Sequence, residues 1–139
     1  MDWKACAADD LRRYRYLKIG ILNSREKLAA MEKKAKLSRA NIKTSLLSSD
    51  DNDLDTLIEY ERLKQNMKMS DLLAKLIERG LSSLSEEEKT VLDKCFINGG
   101  KRNLTSLTQT LGYEQRSLYR LRDRALKKFT LSMYGVDML

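Results

Sequence analysis

Apolar residues recur at helical spacing along most of this chain. A near-heptad repeat occupies a segment from Asp9 to about Lys36, where the apolar positions are Tyr14, Leu17, Ile21, Leu28, Met31 and Ala35. A second repeat runs from Leu54 to about Arg79 and includes Tyr60, Leu63, Met67, Ala74 and Ile77. Both repeats predict long amphipathic helices, and Gly80 is expected to end the second one as a C-cap.

A polar segment, Leu37 to Asp53, separates the two repeats and predicts a linker. Neither long helix can bury its apolar stripe alone, so we expect the helices to pack antiparallel on each other or on a partner chain. The near-heptad spacing slightly favours an oligomer, with a dimer expected first. The expected oligomer interface consists of Leu17, Ile21, Leu28, Tyr60, Leu63 and Met67.

Three shorter helices are predicted in the last third of the chain. Ser85 and Glu88 have the spacing of a capping box, which begins a helix over about 85–97. Its apolar face contains Val91, Leu92, Cys95 and Phe96. A second helix is expected over 103–111, with Asn103 as its N-cap and an apolar face of Leu104, Leu107 and Leu111.

A single glycine, Gly112, joins the second of these helices to the third. Glycine adopts positive φ without a Cβ penalty, as a sharp turn between helices often requires. The third helix is expected over 114–130, with its apolar face formed by Leu118, Leu121, Ala125 and Phe129. Two short amphipathic helices that meet at a glycine indicate a helix-turn-helix.

The fold class expected from these patterns is all-α. The chain has 139 residues and no proline, and it has few β-branched runs. We expect two domains: residues 1–80 as a long helical hairpin or coiled-coil pair for oligomer or partner contact, and residues 81–139 as a helix-turn-helix domain that binds DNA. A fragment of about 82–139 is expected to fold by itself.

Positive charge is concentrated on the helix-turn-helix. The segment from Lys101 to Lys128 has eight basic and two acidic residues, a net +6 in a chain of net +7. The first turns of a helix in the major groove read base edges, and later cations hold phosphates. The expected base-reading residues are Gln115, Arg116, Ser117, Tyr119 and Arg120, and the expected phosphate contacts are Lys101, Arg102, Arg122, Arg124, Lys127 and Lys128. Any one of these cations, taken alone, is more often part of a solvated helix face.

Catalysis is not expected. The chain has no histidine, its two cysteines form no metal-binding motif, and no glycine-rich phosphate loop is present. We therefore expect no catalytic residues, no metal and no cofactor. No apolar stretch is long enough to span a bilayer and no signal peptide is visible, so we expect no membrane partner and a cytoplasmic location.

The three-helix segment resembles a known family. Leu84 to Leu92, the turn Gly99-Gly100, Leu107 to Gly112, and Ser117 to Leu126 are similar in order and spacing to region 4 of bacterial sigma-70-type factors. The resemblance covers roughly residues 84–130. It implies a unit that binds promoter DNA in the major groove and contacts RNA polymerase. Thr108 departs from the small alanine that is common in the family.

The layout of the whole chain is two long helices followed by a helix-turn-helix. This layout resembles that of phage transcriptional activators of the ArpU and RinA type. This resemblance implies a sequence-specific transcription regulator, encoded by a phage or prophage, that controls late, packaging or lysis genes. Two alternatives stay open: a small terminase-like subunit that recognises DNA for packaging, and an adaptor that binds polymerase without reading DNA. The expected partners are double-stranded DNA, bacterial RNA polymerase and a second copy of the chain. The resemblance also implies that the cytoplasm in question is that of a bacterial host cell.

Overall fold

The described part of the chain is all-helical. The computed structural model describes residues 1–37, 51–99 and 101–138, and no strand occurs among them. The α-helices are α1 (Trp3–Leu37), α2 (Asp51–Ser82), α3 (Glu86–Leu92), α4 (Lys101–Leu111) and α5 (Gln115–Tyr134). A π-helical turn, Asp93–Ile97, continues directly from α3. The all-α fold class predicted from the sequence is thus confirmed, while most of the predicted linker lies outside the described residues.

The chain divides into two compact units. The first contains Met1–Leu17 together with Leu73–Leu139, and the second contains Lys18–Leu72. The start of α1 and the end of α2 therefore pack with the three C-terminal helices. Sequence alone assigned those two helix ends to the N-terminal domain, and the domain boundary near residue 80 stays a prediction.

The first unit has a core built from four helices. The side chains of Leu11 on α1, Ile77 on α2, Leu92 on α3 and Phe129 on α5 are completely buried in one cluster. Complete burial of each such side chain contributes about 1.5–3 kcal/mol. Residues far apart in the sequence therefore share one core, which positions α5 against both long helices.

The first helix begins at Trp3, six residues before the predicted start at Asp9. The carboxylate of Asp2 accepts a hydrogen bond from the backbone N–H of Ala5 at 3.0 Å, which caps the helix. The Trp3 ring packs on the ring of Tyr134, and the Tyr134 hydroxyl donates to Asp10. These contacts with α5 explain the longer helix, because Ala7 and Ala8 are buried and Trp3 is half-buried in packing that the sequence pattern does not reveal.

Gly80 does not end a helix, because α2 continues to Ser82. The prediction of a C-cap at this position is wrong. A Cβ on Gly80 would lie 2.9 Å from Cε2 of Phe129, closer than side chains normally approach. Glycine at position 80 therefore allows α2 and the Phe129 ring to come into contact.

A second, smaller core holds α3, α4 and α5 together. It consists of Val91, Leu107, Leu118 and Leu121, and Tyr113 packs against it. The predicted capping box is confirmed, since Ser85 N donates to Glu88 Oε1 at 3.1 Å and Glu88 N donates to Ser85 Oγ at 3.2 Å. The predicted N-cap at Asn103 is wrong, because α4 already begins at Lys101.

In the second unit, α1 and α2 contact each other through polar and apolar groups. Ile21 and Leu28 are buried, and the Tyr60 hydroxyl donates to Glu32 at 2.7 Å. Leu63 and Met67 are half-buried. In the first unit, Leu17 packs against the core. The residues expected at an oligomer interface are thus covered, wholly or in part, within a single chain, and a partner contact through them stays a prediction.

Candidate nucleic-acid interface

The turn before α5 has the backbone conformation that the sequence indicates. Gly112 has a φ of 71°, in the left-handed region that favours glycine, and no atom lies within 4 Å of where its Cβ would be. Tyr113 follows it and donates a hydrogen bond from its hydroxyl to Glu87 Oε2 at 2.7 Å. That hydrogen bond raises the pKa of Tyr113. The turn is therefore tied to α3, which fixes where α5 begins.

The two sides of α5 differ sharply in character. Leu118, Leu121, Ala125 and Phe129 are all buried, as their spacing predicts. The opposite side is polar, and its exposed members include the residues expected to read or hold DNA: Gln115, Arg116, Ser117, Tyr119, Arg120 and Arg124. A shallow recess of about 460 Å³ lies on this surface and is lined by Gln115, Arg116, Tyr119, Arg120 and Asp123. We call the exposed surface of these lining residues the reading face.

Two arginines dominate the reading face. Arg116 and Arg120 are four residues apart, so their side chains leave the same side of α5. Neither guanidinium forms an ion pair or hydrogen bond with any residue that the structure describes. Each is thus positioned to present its planar set of N–H donors to a ligand, and such donors fit a guanine edge or a phosphate.

The lysines later in α5 already have acidic neighbours. Nζ of Lys127 lies 3.2 Å from Oδ2 of Asp123, and Nζ of Lys128 lies 3.1 Å from Oε2 of Glu88. These two lysines were expected to bind phosphates. A phosphate contact would have to compete with the carboxylates, so Lys127 and Lys128 are less available than sequence alone suggests.

Glu88 combines a structural role with its pairing to Lys128. Burial alone would raise the pKa of Glu88, but hydrogen bonds from Ser85 and the pairing with Lys128 outweigh burial and lower the pKa below its usual range. The carboxylate therefore stays charged and binds the first turn of α3 to the middle of α5.

Arg122 lies over an aromatic ring. Its guanidinium carbon is 4.8 Å from the centroid of the Tyr119 ring, within the range of a cation–π contact. Arg122 is half-buried, and its charge acts on Cys95, where burial nevertheless raises the pKa of the thiol. Arg122 was expected to contact phosphate. Its guanidinium instead packs on the Tyr119 ring, where it supports that ring at the edge of the reading face.

Asp123 lines the reading face, whereas sequence reasoning counted it only as an opposing charge and did not include it among the site residues. Asp123 accepts a hydrogen bond from Lys4 at 2.5 Å, and this bond, with that from Lys127, lowers the pKa of Asp123. The Asp123–Lys127 spacing of four residues is a readable signal for a helical ion pair. The contact with Lys4 has no sequence signal, since 119 positions separate the two residues.

The side chains of two expected phosphate contacts, Lys101 and Arg102, lie outside the described part of the structure.

Comparisons with protein-family models, with curated proteins and with solved structures gave no match. Among the described residues, no helix is both long enough and apolar enough to cross a membrane, and no group of acidic, cysteine or histidine side chains has the makings of a metal site.

Proposed function

We propose that this chain is a sequence-specific regulator of transcription that binds double-stranded DNA and reads the major groove with α5. The layout that we propose for it is a pair of long helices followed by a three-helix helix-turn-helix, α3 to α5. Its resemblance to region 4 of sigma-70-type factors suggests a further contact with RNA polymerase. The resemblance to ArpU- and RinA-type activators suggests a phage or prophage origin and control of late genes.

The observation that carries the proposal is the placement of Arg116 and Arg120. Both lie in the first turns of α5, both are exposed, and neither pairs with an acidic group among the described residues. Holding two adjacent guanidinium groups on one helix face, with no carboxylate in direct ion-pair contact, costs electrostatic energy. A polyanion that approaches this face removes that repulsion and also releases its own counterions.

The geometry of the preceding turn supports the same function. A reading helix needs its first turn to project beyond the neighbouring helices. Gly112 and the Tyr113–Glu87 hydrogen bond fix where α5 begins, while Leu118 and Leu121 secure the opposite side of α5 in the small core. Because these contacts hold α5 in place, they lower the entropy cost of positioning its side chains against base edges.

Selection of bound sequences from a random duplex library tests the proposal. We expect the full-length chain to enrich a defined sequence. Binding should depend on salt with a log–log slope of about −4 to −5 for each bound reader, since roughly four to six phosphates are neutralised. The doubly substituted chain Arg116→Ala, Arg120→Ala is the control and should enrich no sequence. Failure of the wild-type chain to enrich any sequence would favour an adaptor that does not read DNA.

A further inference from the structure

The outer side of α2 exposes large apolar side chains. Within the second unit, Met69 is 65% exposed, Leu54 is 54% exposed and Leu72 is 52% exposed. Leu57 and Ile58 are also exposed. At about 3.6 residues per turn these positions fall on one side of the helix, opposite the half-buried side that includes Leu63 and Met67. We call Leu54, Leu57, Ile58, Met69 and Leu72 the outer stripe.

Charged residues occupy the middle of the outer stripe in a self-complementary arrangement. Glu61 and Lys68 are seven residues apart, two helical turns, and lie on the same side of α2 as the stripe, between its two apolar ends. When two identical helices pack antiparallel about a two-fold axis through this side, positions equally far from the axis in opposite directions come face to face. An axis between Lys64 and Gln65 then places Glu61 of each copy opposite Lys68 of the other.

The same axis matches the apolar ends of the stripe. Leu57 of one copy comes opposite Leu72 of the second, and Ile58 comes near Met69. In a parallel pair, equal residue numbers lie side by side, so Glu61 and Lys68 would stay about 10 Å apart along the axis and could not neutralise each other. Both the apolar and the charged positions therefore favour an antiparallel partner of identical sequence.

We propose that the outer stripe is the contact surface for a second copy of this chain, with the two α2 helices packed antiparallel. This surface differs from the apolar side of the long helices, which is covered within one chain. The inference does not depend on DNA binding, and it assigns the dimer to residues other than those of the reading face. A two-fold dimer of this kind would carry two readers.

Sedimentation of the full-length chain without DNA tests the proposal. The wild-type chain should be a dimer in the micromolar range, and Met69→Asp with Leu72→Asp should convert it to a monomer of unchanged helical content by circular dichroism. The matched control is Ile19→Asp with Leu22→Asp, two exposed apolar residues on α1, which should leave the dimer intact. A monomeric wild-type chain, or equal dissociation of both variants, would overturn the proposal.

Charge exchange tests the antiparallel arrangement. Glu61→Lys or Lys68→Glu alone places like charges opposite each other in both symmetric contacts, so each should weaken the dimer by about three- to tenfold. The double variant Glu61→Lys, Lys68→Glu recreates opposite pairs and should restore wild-type dimerisation. Absence of this recovery would rule out the proposed orientation, whatever the oligomeric state of the wild-type chain.

Discussion

Lys4, in the first turns of α1, donates a hydrogen bond to Asp123 on α5, with Nζ 2.5 Å from Oδ1. Asp123 is the only acidic residue in α5 and it lies among the arginines of the reading face. A carboxylate there would repel phosphate unless a cation neutralised it. The first residues of the chain therefore complete the electrostatics of a surface formed near its other end.

We expect Lys4→Ala to weaken DNA binding by about two- to fivefold, because Asp123 then presents a less compensated negative charge to the phosphates. Adding Asp123→Asn should abolish the difference between alanine and lysine at position 4. Lys33→Ala, which removes a cation from the exposed surface of α1, is the control for net charge and should have a smaller effect. Fluorescence anisotropy with a duplex measures DNA binding by five chains: the wild-type chain, Lys4→Ala, Asp123→Asn, the double variant and Lys33→Ala. Equal effects of Lys4→Ala with and without Asp123 would refute the neutralising role.

Two glycines in long helices should respond oppositely to alanine. Gly20 has no atom within 4 Å of its Cβ position, so Gly20→Ala should raise the free energy of unfolding by roughly 0.5–1 kcal/mol through helix propensity. Gly80→Ala gains the same propensity but forces the buried Phe129 ring to move, at a cost of about 1–3 kcal/mol. We therefore expect Gly80→Ala to lower stability in urea unfolding. A gain equal to that of Gly20→Ala would show that the Phe129 ring shifts without cost.

A fragment of residues 82–139 should not reach the stability of the full chain. It lacks Leu11 and Ile77, which bury Phe129 together with Leu92. Sequence alone favours an independently folded fragment, and the shared core reverses that expectation. Loss of one such residue, as in Leu11→Ala, should cost about 2–5 kcal/mol in the full chain, so loss of both helices should abolish cooperative unfolding. A sharp thermal transition of the fragment would contradict this view of the core.

The free energy of unfolding should fall in acid, partly because the carboxylate of Glu88 becomes protonated. Its pKa is lowered in the folded chain relative to the usual 4.5, so its contribution is complete above about pH 4.5 and is lost as the pH falls through the folded value. Glu88→Gln should reduce the dependence of unfolding free energy on pH in this acidic range. Glu86→Gln, an exposed substitution at the same helix end, is the control and should leave most of the dependence in place. Identical acid profiles for Glu88→Gln and the wild-type chain would exclude the role of this carboxylate.

The sequence predicts local structure well where the determinants are local. The Ser85–Glu88 capping box, the positive φ of Gly112 and the buried side of α5 follow from neighbours within a few residues. The early start of α1 and the contact at Gly80 depend on side chains of α5 that are distant in the sequence.

The candidate site shows the same division between local and distant determinants. The positions of Arg116 and Arg120 on an exposed helix side follow from spacing alone. The pairing of Lys128 with Glu88 depends on how α3 packs on α5, and the pairing of Lys4 with Asp123 depends on how α1 does. The spacing of the cations shows which of them share one side of a helix. How the helices pack on each other decides which of these cations remain exposed without a neighbouring carboxylate.

The most direct test of the central claim compares four alanine variants on two DNAs, a selected site and a random duplex. Arg116→Ala and Arg120→Ala should each lose about 1–3 kcal/mol of binding to the selected site and much less to random duplex, because base contacts give the discrimination. Lys127→Ala and Lys128→Ala should weaken both DNAs slightly and to the same extent. Equal losses on both DNAs for all four variants would contradict the assignment of Arg116 and Arg120 as the residues of α5 that read sequence.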